Sequence, residues 1–303
     1  SMNSYNKGVS NLILLLIPAI GYFGVKRSWA WCVIGIVSAI IFALVSSNST
    51  AKVALFIALL TIGIATLVNI VFNPLWLRLL IGVKLSLIIL LAPLWVRVLT
   101  HYEGVFVKLG IKLTFLVRLE IWNLVNRGIW AHPWIGHGWR SSRALSLNSV
   151  TSGKYVYLNQ MGSDFHFYPH NQMLQIWYDL GIGGALIAAG LVIWIALRLG
   201  KLPRELQASA LAAMVFVLTT SIVNYDLATD AWWAILAAVA GLFLLAAEGV
   251  IEARNPAQIE TIFSRPRQQK FPDDGGRANS AARNYESDKN AAHDRGEDNL
   301  GWR

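Results

Sequence analysis

The sequence predicts an all-α polytopic membrane protein with about seven transmembrane helices, and three observations carry that reading. First, of 303 residues only 14% are charged and 55% are hydrophobic, with a mean hydropathy of +0.48. Soluble domains carry about 25% charged residues, so the deficit puts the chain in the membrane class. Second, seven apolar runs, near 9–25, 29–46, 51–72, 78–98, 174–197, 206–223 and 231–249, are long enough to cross a bilayer. A span needs roughly 17 to 25 residues. Third, many of the thirteen tryptophans sit near the ends of these runs, where an interfacial aromatic belt places them.

The runs divide the chain into four regions: a first bundle of four spans (1–99), a polar loop (100–171), a second bundle of three spans (172–250) and a tail (251–303). Three short connections are basic: Lys26-Arg27, the start of the fourth span with Arg78 and Lys84, and the turn with Arg198, Lys201 and Arg204. Counting spans puts all three on one side, which the positive-inside rule makes cytoplasmic. The long loop and the Asn224–Asp230 connection then face outward, and the tail faces inward. On this count residue 1 lies outside, immediately before a span and without a cleavable signal peptide. The expectation is therefore a C-terminal part of a longer protein, with an odd number of spans upstream. From Glu252 onward the composition is polar, with few large apolar residues, and cannot offset the entropy of ordering. It reads as a disordered cytoplasmic tail.

The net charge of +9 could point to nucleic acid, but its distribution excludes that partner. Residues 250–303 hold nine basic and nine acidic side chains, so the whole excess belongs to the membrane part. There it serves orientation and an anionic substrate. The lone Cys32, inside an apolar run, excludes a disulfide framework within the chain.

The 100–171 loop gathers the chemistry. It holds His101, His132, His137, His166 and His170, five of the six histidines, and a run of arginines and lysines. Leu119, Trp122, Val125 and Ile129 fall on one face of a helix over Phe115–Trp130, which Pro133 ends ahead of a Gly136-His137-Gly138 turn. Residues 139–165 read as irregular. Pro169 opens a second helix with Met173, Ile176, Trp177 and Leu180 on its apolar face and Gln172, Gln175 and Asp179 on another. That amphipathic start is expected to lie on the membrane surface. Gly181, Gly183 and Gly184 then permit close packing against neighbouring spans.

His170, beside a helix N-terminus, reads either as a cap or as a general base next to a bound anion, since free N–H groups and the helix dipole favour negative charge there. Arg118 reads as a diphosphate fork or as an interfacial cation paired with Glu120 or lipid headgroups. Lys7 carries the same two readings. Proline interrupts both close histidine pairs, 132/137 and 166/170, so neither is a one-face metal pair; no metal and no cofactor are expected.

Several stretches resemble the O-antigen ligase and polymerase superfamily: Arg118-Leu119-Glu120-Ile121-Trp122; Ala131-His132-Pro133-Trp134-Ile135-Gly136-His137-Gly138; Pro169-His170-Asn171 with Leu174-Gln175; and Asp179 to Gly184. Tyr5-Asn6-Lys7-Gly8 resembles its motif before a span, with Lys7 where arginine is commoner. Ser47-Asn48-Ser49-Thr50-Ala51-Lys52 resembles its serine-rich turn, without the usual arginine. The resemblance implies a GT-C-like, metal-independent, inverting glycosyltransferase facing the periplasm of a bacterial inner membrane. Its donor would be a glycan on undecaprenyl diphosphate. Its acceptor would be a sugar hydroxyl, on the lipid A core for a ligase or on another lipid-linked glycan for a polymerase. Arg118 and Lys7 would hold the leaving diphosphate, His170 would take the acceptor's proton, Asn171 would orient substrate or imidazole, and Arg140 would add contacts, with Glu120 in the same motif as Arg118. A ligase is preferred over a polymerase. A lipid-glycan flippase or transporter, which would carry its charges within the spans, is a third reading, and a non-catalytic scaffold a fourth.

Overall fold

The computed structural model describes residues 2–71, 74–144, 169–223 and 229–254. All regular elements among them are helical: α1 (Met2–Val25), α2 (Trp29–Val45), α3 (Ser49–Val71), α4 (Pro74–Leu90), α5 (Ala92–His101), α6 (Glu103–Lys108), α7 (Leu113–Ala131), α8 (Gln172–Arg198), α9 (Arg204–Ser221) and α10 (Asp230–Arg254). Two short 3₁₀ turns, Ser141–Ala144 and Leu199–Lys201, complete them.

Four helical stretches, Lys7–Val25, Ser49–Val68, Gln172–Lys201 and Asp230–Arg254, are long and apolar enough to cross a membrane; the bent pair α4–α5 makes a fifth if counted as one span. The other two expected spans differ. The α2 helix is apolar but, at 17 residues, lies at the lower limit of span length, and α9 falls outside the apolar set. The reason for α9 lies in its position. It packs on α1, α3, α4, α8 and α10, and most of its residues are buried, Leu206 to Ala213 without a break. A helix enclosed by protein rather than lipid can carry polar side chains if they are satisfied. Thr219 Oγ1, Thr220 Oγ1 and Ser221 Oγ donate to the carbonyls of Val215, Phe216 and Val217, at 2.8, 2.9 and 2.8 Å. Gln207, buried near the other end, accepts from Arg78 Nη1 at 2.5 Å and donates to Leu202 O at 2.9 Å.

Two apolar clusters make the core. One joins α1, α2, α3, α9 and α10 around Ile13, Leu14, Phe216 and Trp232; the other joins α4, α5, α7 and α8 around Leu119, Val125, Ile129 and Leu174. The α4–α8 contact is close. A Cβ on Gly82 would sit 2.9 Å from Ala196 Cβ, and Ser86 Oγ donates to Ala189 O at 2.8 Å. Small residues let two backbones approach in this way. The α10 helix runs to Arg254, which pairs with Glu205, and the tail read from residue 255 onward lies outside the described residues.

Between α4 and α5 the axis turns by 65°. Pro93, at the start of α5, has no N–H to give to the carbonyl four residues back, that of Ile89, and its ring crowds the preceding turn. Two tryptophans repair the break: Trp177 Nε1 donates to Ile89 O at 2.9 Å, and Trp95 Nε1 to Ile88 O at 3.1 Å. Asn126 Nδ2 donates to Pro93 O at 3.0 Å and so fastens α7 to the same bend. Trp177→Phe keeps the ring but strands a buried carbonyl, a loss of about 1–3 kcal/mol. Thermal unfolding of the detergent-solubilised protein should register it as a fall of several degrees in Tm, and an unchanged Tm would show that the bend does not need this donor.

Candidate functional site

The α7 helix follows the expected face: Leu119, Trp122, Val125 and Ile129 are all buried. Trp122 meets Trp95 and Phe115 edge-on, with centroids 5.9 and 6.3 Å apart. Its indole N–H reaches across to Pro169 O at 2.8 Å, which ties α7 to the residue immediately before His170. Arg118, half-buried, stands one helical turn before Trp122 on the same side, so their Cβ atoms are about 5–6 Å apart. The indole thus joins the helix that carries Arg118 to the residue before His170. Glu120 is buried. Its charge reaches Glu103, whose carboxyl is raised above its ordinary value first by burial and then by Glu120.

Pro169 does not open the second helix. That helix begins at Gln172, because Asn171 caps it: Asn171 Oδ1 accepts from Met173 N at 3.0 Å and Leu174 N at 3.1 Å. Two of the terminal N–H groups expected to face an anion are therefore already taken. His170 itself is half-buried and has φ of 49°, a left-handed conformation that a non-glycine residue adopts only when its surroundings hold it there. Among the described residues, Asn171 Nδ2, Gln172 Nε2 and Ser142 Oγ are buried polar atoms without a hydrogen-bond partner.

The head of α8 is not a surface amphipathic helix. Met173 and Trp177 are buried as the spacing predicts, but so are Gln172, Gln175 and Asp179, while Leu180 is exposed. Asp179, 1% exposed, is saturated by the loop from α7: Arg140 N donates to its Oδ2 at 3.1 Å, and Ser142 N and Ser141 Oγ donate to its Oδ1 at 2.8 and 3.1 Å. Two residues later α8 breaks at Gly181 (φ 65°, ψ −160°). The loop takes over the backbone bonds lost there. His137 N donates to Tyr178 O at 2.9 Å, Gly138 N to Asp179 O at 2.9 Å, and Ile182 N to Pro133 O at 2.8 Å. The contact is backbone on backbone. A Cβ on Gly181 would lie 2.5 Å from Trp134 O, and one on Gly136 would lie 2.6 Å from Asp179 O. Gly181 therefore packs on a loop rather than on a span, and Gly183 has open space.

The remaining candidates are placed as follows. Arg140 lies in the clasp through its backbone, at φ 65°, with an exposed side chain. Lys7, half-buried in α1, precedes Ser10 by one turn. Ser10 Oγ accepts from Asn48 Nδ2 at 3.0 Å, and Asn48 Oδ1 caps α3 through Thr50 N and Ala51 N. The α1 helix belongs to the first cluster and α7 to the second. His132 and His137 do meet despite Pro133: their rings lie 4.9 Å apart edge-on, and His137 stacks on Tyr178 at 4.1 Å. No group of three or more metal-ligating side chains occurs among the described residues. His166 and the rest of the 145–168 segment lie outside them. Trp122 as a positioning donor was not legible from spacing. Asp179 was read only as part of a polar surface face, although an acid beside an apolar run has to find donors once it is buried.

Gly181→Ala forces both a Cβ contact and left-handed strain, a cost of order 1–3 kcal/mol. It should lower Tm and open residues 133–144 to protease, whereas Gly183→Ala should do neither; equal behaviour of the two variants would refute the clasp. Glu103 binds its proton more tightly folded than unfolded, so stability should fall as pH rises above the ordinary glutamate value of about 4.3. Glu103→Gln should flatten that slope in thermal unfolding across pH 4 to 8, and an unchanged slope would exclude this carboxyl as its source.

The family described as O-antigen ligase matches residues 13–189, more than half of the chain, from α1 through the clasp into α8. A Rickettsia felis protein named "Putative polysaccharide ligase" is 26% identical over 120 residues, covering 38% of this chain and 28% of that protein. The chain therefore spans well under half of that relative's length. No solved structure is significantly similar. The family match takes in Arg118, the His132–Gly138 loop, His170 and Gly181. With its run of apolar helices, the chain is a multi-pass membrane protein and belongs to the O-antigen ligase family.

Proposed function

We propose that the chain forms the catalytic part of a membrane glycosyltransferase that moves a glycan from undecaprenyl diphosphate to a sugar hydroxyl, as an O-antigen ligase does with the lipid A core. The observation that carries this reading is the bond from Trp122 to Pro169 O, which ties the helix that carries Arg118 to the residue before the strained His170. The acceptor hydroxyl oxygen attacks the anomeric carbon as the bond from that carbon to the diphosphate breaks, inverting the centre. His170 takes the hydroxyl proton. Arg118, together with Lys7 and Arg140, meets the negative charge that grows on the diphosphate, so these cations act most strongly in the transition state. The unpartnered amide donors of Asn171 and Gln172 beside His170 suit sugar oxygens. Since Asn171 Oδ1 already occupies two helix-terminal N–H groups, arginine carries most of the diphosphate recognition.

The wider reading has seven spans, a GT-C-like arrangement, the 100–171 loop in the periplasm of an inner membrane, the tail in the cytoplasm, and chemistry without a metal. The basic short connections support the orientation. The relative's name supports a ligase over a polymerase that would use a second lipid-linked glycan as acceptor.

His170→Ala should cut turnover by roughly 10² to 10⁴, the usual reach of general base catalysis. Arg118→Lys keeps the charge, loses the planar fork and should also fall steeply. The assay is transfer from a defined lipid-linked glycan to lipid A core, with and without chelator, on purified protein whose Tm is checked. Well-folded variants with near-normal turnover would overturn the assignment, and self-polymerisation without transfer to core would identify a polymerase.

A further inference from the structure

The loop that clasps Gly181 ends in an exposed apolar tip. Trp134 is 74% and Ile135 84% exposed, the latter the most exposed large apolar side chain described, with Trp130 and Trp139 about half exposed on either side. In a loop facing water this would be costly: burying each such side chain is worth about 1.5–3 kcal/mol. The backbone on either side of the tip is bonded to α8, through Pro133 O before it and His137 N and Gly138 N after it, which holds the tip in place.

Helix geometry gives the tip its depth. From Gly181 to Arg198, α8 runs 17 residues, about 25 Å at 1.5 Å per residue. Arg198 lies 4.9 Å from the Trp194 ring, a cation–π pair of the kind that marks a membrane–water boundary, and Lys201 follows it. With a hydrocarbon core about 30 Å thick, Gly181 then falls at the opposite boundary of the bilayer. The break there follows the rule for that depth, since the loop pairs Tyr178 O, Asp179 O and Ile182 N beside it. Residues 127–144 also carry Arg127, Arg140 and Arg143 and no acid, and the Arg127 and Arg140 side chains are exposed.

We infer that the Trp130–Trp139 tip is a membrane anchor: Trp134 and Ile135 dip into the headgroup–acyl boundary of the leaflet at the Gly181 end, and Arg127 and Arg140 face its anionic headgroups. An amphipathic element with aromatic and aliphatic residues on one side and cations on the other binds that zone. The anchor fixes the height of the clasp, and with it the heights of α7 and the His170 segment, relative to that leaflet. The inference rests on the membrane reading and not on the glycosyltransfer chemistry.

The test uses the full chain with Cys32→Ala and Ile135→Cys, labelled with an environment-sensitive fluorophore and reconstituted into phosphatidylcholine vesicles with and without phosphatidylglycerol. Expected are a blue-shifted emission, quenching by lipids brominated near the top of the acyl chain, and iodide quenching roughly threefold or more weaker than in detergent-free denatured protein, with stronger lipid quenching when phosphatidylglycerol is present. Free access of iodide without lipid quenching would place the tip in water, as a sugar-stacking platform would be. Shielding from both quenchers would place it against protein. Either result overturns the anchor, and neither depends on transfer activity.

Discussion

The break in α8 at Gly181, and the loop that closes it, is the constraint on which the rest of this structure depends. A helix interrupted at the edge of a bilayer exposes carbonyls and amides that lipid cannot satisfy. Here the 133–138 backbone supplies what the helix lost, and Asp179 gathers the next three donors of the same loop. The fit is too close for side chains, so glycine stands on both sides of it, at 136 and 181. Because the loop is the direct continuation of α7, fastening it to α8 also orients α7, and Trp122 then reaches Pro169. The local cost of a broken helix is converted into a fixed relation between α7 and the start of α8.

Tryptophan does a second job of the same kind. The carbonyls of Ile88, Ile89 and Pro169 lie at helix breaks or ends where proline or a change of direction denies them a backbone donor, and each receives an indole N–H. An indole suits this task because its large apolar body packs in the core while its one polar atom reaches the orphaned oxygen. The abundance of tryptophan in the sequence therefore has an internal cause as well as an interfacial one. The polar residues of α9 follow similar logic: a central helix surrounded by other helices can keep hydroxyls that bond back to their own turn, at some loss of apolarity.

The glycosyltransfer proposal depends on this scaffold in a specific way. His170 is not on α8 but two residues before it, in a left-handed conformation held between the Trp122 bond on one side and the Asn171 cap on the other. Strain of that sort fixes where an imbalance in the site can be absorbed and where it cannot. The cap also takes up part of the simplest phosphate seat, the bare helix terminus, and shifts the demand for positive charge in the proposed reaction onto side chains, Arg118 first among them.

What the sequence by itself determined was everything that hydrophobic periodicity and local chain chemistry control. The membrane class, the α7 face of Leu119, Trp122, Val125 and Ile129, the family motifs and the cluster of polar residues in one loop were all legible, because each depends on neighbours within a turn or two. Tertiary structure decided the rest. The polar face of the α8 head was expected at a surface and is buried, since Asp179 finds its donors 37 to 39 residues away in sequence. Pro169 was expected to start the helix, but Asn171 does so, since a side chain that satisfies two terminal amides outweighs a ring that merely presets φ. The 206–223 segment was read by length as a span, and only its enclosure on several sides explains why it is the least apolar of the long helices. Spacing within a chain cannot show which distant carbonyl lacks a donor, and that accounting is what placed the loop, the two glycines and the indoles.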